Sequence, residues 1–160
     1  MKLTGILHHG TDQEINNPIW NNGSRYRDFG QCFYTTYNLA MAKNWAKRRS
    51  SNKTGVVCHY VIDFSKTPSQ KLHIKRFNAD AEWAEFVYNN RYNPDFKRPD
   101  YDIIIGPLAD NKLTEQFQKI KTENKTFEEI AMHIKYSRYK ALQICFCSDN
   151  AMLLLRRVLA

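Results

Sequence analysis

DFGQCFYTTYNLAMAKNWAKRR, Asp28 to Arg49, carries a turn, a short strand and a helix in succession. Phe29-Gly30 makes the turn, because glycine reaches positive φ without a steric cost. Cys32-Phe33-Tyr34-Thr35-Thr36 is aromatic and β-branched, which suits a pleated, half-buried surface. Asn38 is placed to cap a helix, its side chain accepting from a free N–H of the first turn. The helix runs to Lys47-Arg48-Arg49, whose charges complement the negative end of its dipole. A strand feeding a helix this way turns Tyr34 and Trp45 toward one cleft.

Outward from this unit, residues 2–9 read as a first strand, broken by Gly10-Thr11-Asp12. Residues 12–27 form a long polar loop, a type that is usually functional or mobile in a compact domain. Strands are expected over 55–64, around Leu72-His73-Ile74, over 101–105 up to Gly106-Pro107, and over 139–147. Helices are expected over 78–91, with Trp83, Phe86, Val87 and Asn90 on one face, and around Leu113, Phe117 and Ile120. Another starts at the capping box Thr126-Phe127-Glu128-Glu129 and runs through His133. A last helix is capped by Asp149, with Ala151, Leu154, Leu155 and Val158 inward. Strands and helices do not alternate regularly, so a single α+β domain is expected rather than a doubly wound sheet.

The chain has 160 residues, 42% of them hydrophobic, enough for a core without staples. Net charge is +8, from 24 Lys and Arg against 16 Asp and Glu, which draws polyanions but defines no site. Cys32, Cys58, Cys145 and Cys147 follow neither a disulfide scaffold nor a zinc spacing and read as small buried thiols in a reducing compartment; no metal is expected. Met1-Lys2 leads straight into a strand-like run, which argues against a signal peptide. No stretch reaches membrane-spanning length. The expected location is cytoplasmic, or one reached without a cleavable signal.

Several polar and aromatic residues are candidates for chemistry. His8 and His9 point to opposite faces of the first strand, so one faces inward. A strand-end histidine beside Gly10 offers a ring donor to a ligand hydroxyl, and the glycine lets a ligand approach the backbone; a structural imidazole is the alternative. Tyr34 and Trp45 suit stacking on a planar ring or ordinary packing. Gln143 is an amide in an apolar strand and needs partners if buried. Arg91 suits a phosphate or the end of its helix. Asp102 and Asp110 form no close pair, so no carboxylate dyad is expected.

Together these residues resemble a known family. Leu7-His8-His9-Gly10-Thr11 resembles the His-Gly-Ser/Thr motif of the diphtheria-toxin and poly(ADP-ribose)-polymerase branch of ADP-ribosyltransferases. Gly30-Gln31-Cys32-Phe33-Tyr34 resembles that branch's Gly-x-Gly-aliphatic/aromatic-Tyr motif, and Trp45 falls at its second ring-stacking aromatic. Over nearly the whole chain there is a closer resemblance to a bacterial family of uncharacterised proteins grouped with this fold. It is carried by Asp28-Phe29-Gly30, Phe33-Tyr34-x-Thr36, Trp83-x-x-Phe86-Val87 with Asn90-Arg91, and the run from Tyr101 to Asp110.

The resemblance implies an ADP-ribosyltransferase-like split β-sheet core flanked by helices and holding NAD+ as substrate. It implies His9 on the nicotinamide-side ribose, the Gly10 backbone on the carboxamide, and Tyr34 and Trp45 around the nicotinamide. Thr11, Phe29, Asn90 and Arg91 join them as expected NAD+ contacts. Gln143 stands where the third motif has Glu, Cys32 replaces a Gly, and Ala42 falls where many relatives have Ser. An amide bonds a hydroxyl but is no general base, so single transfer is expected rather than polymer growth. The implied activity is mono-ADP-ribosylation of an unknown protein or nucleic-acid acceptor. Small size and family context are compatible with a bacterial toxin held by a neutralising antitoxin protein. The alternatives are a catalytically silent nucleotide- or partner-binding module and a basic nucleic-acid binder.

Overall fold

A computed structural model describes residues 4–52, 54–109, 111–136 and 141–159. Among them, seven strands form two sheets. The first has the order β1 (Leu7–Thr11), β3 (Val56–Ile62), β7 (Leu155–Val158), all antiparallel. The second has the order β2 (Phe33–Thr35), β6 (Leu142–Phe146), β5 (Ile103–Pro107), β4 (Ile74–Arg76). In it only β4 and β5 run parallel. The sheets meet where His8 and Thr36 exchange backbone hydrogen bonds of 2.8 and 3.0 Å.

The helices are α1 (Leu39–Arg49), α2 (Ala81–Tyr92), α3 (Asn111–Thr122), α4 (Phe127–Tyr136) and a short α5 (Asp149–Met152). Asn38 caps α1 through Met41 N at 3.0 Å. Thr126 and Glu129 make the reciprocal bonds of a capping box at α4. One buried cluster gathers Phe29, Phe77, Trp83, Phe86, Val87, Leu113, Phe117 and Ile130 under the second sheet. A second joins Leu7, Tyr60, Ile103, Ile144, Phe146 and Leu154. The architecture is therefore mixed α+β, as the irregular alternation of elements predicts. No helix among the described residues is long and apolar enough to cross a membrane.

Tertiary pairing overrides local pattern in four places. Leu155–Val158 is a strand rather than helix, because its backbone pairs with β3; Ser148, not Asp149, caps the one-turn helix before it. β1 runs through Gly10, opposite Val57, to end at Thr11, and β5 runs through Gly106 to end at Pro107, so each strand extends two residues past its expected break. β4 begins at Ile74, after the predicted Leu72-His73. Cys32 and Cys147 form a disulfide across the adjacent ends of β2 and β6, 115 residues apart in sequence. The expectation of four unpaired thiols is corrected there, while Cys58 and Cys145 are free and buried. Residues 2, 3, 139 and 140 of the expected strands, and Asp110, lie outside the described residues. Asp102 is structural, accepting from His73 N at 2.8 Å and from Ser148.

Candidate functional site

At the junction of the sheets lies a cavity of about 420 Å³. His9 and Gly10 reach it from β1, Tyr34 from β2, Trp45 from α1, Arg91 from the end of α2 and Gln143 from β6. The 26–28 turn adds Tyr26, Arg27 and Asp28, and α1 adds Arg48 and Arg49. Segments around residues 9, 34 and 143 thus converge on one cavity.

His9 is 7% exposed and stacks on Phe33, with ring centroids 4.4 Å apart. Its Nδ1 lies 2.6 Å from the Tyr34 carbonyl. A carbonyl only accepts, so Nδ1 carries the proton. Burial, the Tyr34 bond opposing it and the cations of Arg49 and Arg27 assisting it, brings the His9 pKa down to about 4. The ring is therefore neutral at pH 7, and Nε2 is an acceptor for a ligand hydroxyl. That reverses the expected polarity, because the donor is already engaged by Tyr34. The Tyr34 hydroxyl donates to Gly30 O at 2.8 Å and accepts from Phe29 N at 3.0 Å. Its hydroxyl thus closes the turn in which Gly30 takes φ +75°, and its ring is what the cavity meets. Burial, with Cys145 and Asp28 nearby, raises the phenol pKa well above its ordinary value, so it stays protonated.

Asp28, 7% exposed, is a hydrogen-bonding hub in the cavity lining. Its Oδ1 accepts from Arg91 Nε at 2.9 Å and from Arg91 Nη2 in an ion pair. Its Oδ2 accepts from Ala109 N at 3.1 Å and from Gln143 Nε2 at 2.8 Å. Gln143 Nε2 also donates to Pro107 O at 3.3 Å. Both partners of that nitrogen are pure acceptors, so the amide orientation is fixed. Gln143 Oε1 takes no part in these bonds, and Gln143 lines the cavity. Arg91 further donates to Thr114 Oγ1 at 3.0 Å and Ala109 O at 3.2 Å, so it is an anchor for Asp28 rather than a helix cap.

A family model described as a protein of unknown function, DUF3990, matches residues 6–156. The chain belongs to the DUF3990 family. No curated protein and no solved structure matches it.

In this DUF3990 chain three of the expected contacts, Phe29, Asn90 and Thr11, lie outside the cavity lining. Phe29 is fully buried against Phe77 and Phe86. Asn90 donates to Phe86 O at 2.8 Å and sits beneath Gly30, its Oδ1 2.8 Å from where a Cβ there would stand. Both hold the 28–30 turn from below, away from the cavity wall. Thr11 donates to Asp12 at 3.1 Å and lines a neighbouring cavity. Gly10 serves helix packing: a Cβ there would stand 2.0 Å from Ala42 O and 2.8 Å from Ala46 N. Ala42 is accordingly a contact between α1 and β1. Arg27, Asp28, Arg48 and Arg49 are cavity residues outside the expected site set. Asp28 precedes a turn with no local partner; its partners lie 63, 81 and 115 residues away. Among the described residues, no three His, Cys, Asp or Glu side chains converge as a metal site would.

Proposed function

We propose that this chain is an NAD+-dependent mono-ADP-ribosyltransferase acting on a macromolecular acceptor. The observation carrying this reading is the convergence of His9, Tyr34, Trp45 and Gln143, from four separate elements, on one cavity. Two small sheets meeting at a cleft also suit the split-sheet core that the family resemblance implies. In the reaction, the bond from ribose C1′ to nicotinamide breaks, and its electron pair leaves with nicotinamide. An acceptor nucleophile bonds C1′ and gives up a proton. His9 Nε2 and Gln143 Oε1 each accept from a ribose hydroxyl, holding the sugar while C1′ becomes cationic. The Tyr34 and Trp45 rings flank the leaving nicotinamide. Such positioning accounts for about 7–11 kcal/mol in well-aligned systems.

Asp28 supplies no base, since its four hydrogen bonds occupy both oxygens. This favours an acceptor that brings a reactive nucleophile of its own, which fits single transfer. The same observation favours a second reading, a silent module that binds a nucleotide without turning it over. Incubation of the pure protein with NAD+ and cell lysate separates the two. Nicotinamide release and an ADP-ribose adduct, both abolished by Gln143→Ala, are expected. NAD+ binding with neither product would establish the silent module.

A further inference from the structure

A second cavity of about 470 Å³ adjoins the first. It is walled by the loop between β1 and β2, the long polar segment to which the reaction above assigns no part. The two cavities share His9, Arg27 and Arg49, so these three residues stand at the neck between them. Arg27 lies over the Tyr34 ring, 5.5 Å from its centroid. Among the described residues neither Arg27 nor Arg49 has an ion-pair partner. Their mutual repulsion is felt: partial burial first and Arg27 second lower the Arg49 pKa, with Asp12 opposing. Asp28, the carboxylate of the first cavity, is already neutralised by Arg91. Asp12, in the lining of the second cavity, offsets Arg49 only in part and Glu14 there is paired with Arg157, so two guanidiniums without an ion-pair partner stand at the neck and suit an anion. A guanidinium presents a planar fork of donors that matches phosphate oxygens.

The second cavity suits a planar polar group. Trp20 forms part of its wall and is held by a 2.9 Å bond from Nε1 to Asp149, while Asn16 and Asn22 offer amides. We propose that Arg27 and Arg49 seat a diphosphate, with the loop-walled cavity beside them holding the second nucleoside of a dinucleotide. The choice of diphosphate over another anion rests on the NAD+ reading above. The anion seat itself rests on the two arginines.

Calorimetry at low salt with inorganic pyrophosphate, ADP and AMP tests this without any turnover. Wild type should bind ADP and pyrophosphate, and AMP more weakly. Arg27→Ala and Arg49→Ala should each weaken ADP and pyrophosphate by about tenfold or more, the scale of a lost charge-assisted bond. Arg27→Lys and Arg49→Lys should recover part of the loss. Lys47→Ala removes the same charge from an exposed position of α1 outside both cavities and should leave binding unchanged. Thermal melts followed by circular dichroism confirm that each variant is folded. Failure of wild type to bind ADP and pyrophosphate would overturn the proposal, as would an equal loss in Lys47→Ala. The outcomes separate from those of the enzymatic reading. Arginine-dependent ADP binding without nicotinamide release keeps the seat and removes the enzyme. Unchanged nicotinamide release from NAD+ by an Arg27→Ala/Arg49→Ala double variant removes the seat and keeps the enzyme.

Discussion

Gln143 is the residue at which family resemblance and this chain part most sharply, and Asp28 supplies the physical reason. With Asp28 Oδ2 only 2.8 Å from the amide nitrogen, a glutamate at 143 would set two carboxylates side by side in a buried site. Arg91, already paired with Asp28, has one positive charge for the two. An amide removes the repulsion, keeps the bond to Asp28 and still offers Oε1. Gln143→Glu should therefore destabilise the fold at neutral pH, by about 1–3 kcal/mol for the lost buried bond. The new carboxyl would have a folded pKa above its unfolded value near 4.3. The deficit should then open as pH rises above that unfolded value and shrink as pH falls below it. Urea midpoints of wild type and variant at pH 4 and pH 7.5 measure this; a deficit equal at both would show that repulsion is not its cause.

At the scale of elements, the site depends on how closely α1 lies on β1. Ala42 and Ala46 present a small face to Gly10, and the helix backbone comes nearer the strand than any side chain would allow. Trp45 belongs to the same helix, so its place in the cavity follows from that approach. Gly10→Ala would set a methyl 2.0 Å from the Ala42 carbonyl, and backbone cannot swing aside as a side chain does. The expected cost is about 1–3 kcal/mol, the scale of overpacking a filled core, with a shift in Trp45 fluorescence as the helix moves out. Measuring the effect in a Trp20→Phe/Trp83→Phe background isolates that signal. A variant as stable as wild type, with unchanged emission, would remove this account of the glycine.

Across the whole molecule, the Cys32–Cys147 bond joins the turn ahead of β2 to the end of β6. A cross-link spanning 115 residues restricts the unfolded chain strongly. Reduction should lower stability by about 2–5 kcal/mol, and the double variant Cys32→Ser/Cys147→Ser should melt with the reduced protein. Melting curves with and without reductant check this; coincident curves would deny the bond any such role. Because the disulfide lies beside the 28–30 turn, it also braces the segment that carries Asp28.

Local chemistry by itself determined the elements whose causes lie within a few residues. The Gly30 turn, the Asn38 cap, the Thr126–Glu129 capping box and the inward face of α2 were all legible, because each depends on neighbours three or four positions away. The gathering of residues near 9, 34 and 143 was read through resemblance, and the fold brings them to one cavity. Only tertiary structure decided that residues 155–158 are a strand, that Cys32 meets Cys147, and that Asp28 binds both Arg91 and Gln143. Each of these is a pairing between distant segments. Hydrogen bonds and disulfides act over a few ångströms of space, and distance along the chain carries no record of them.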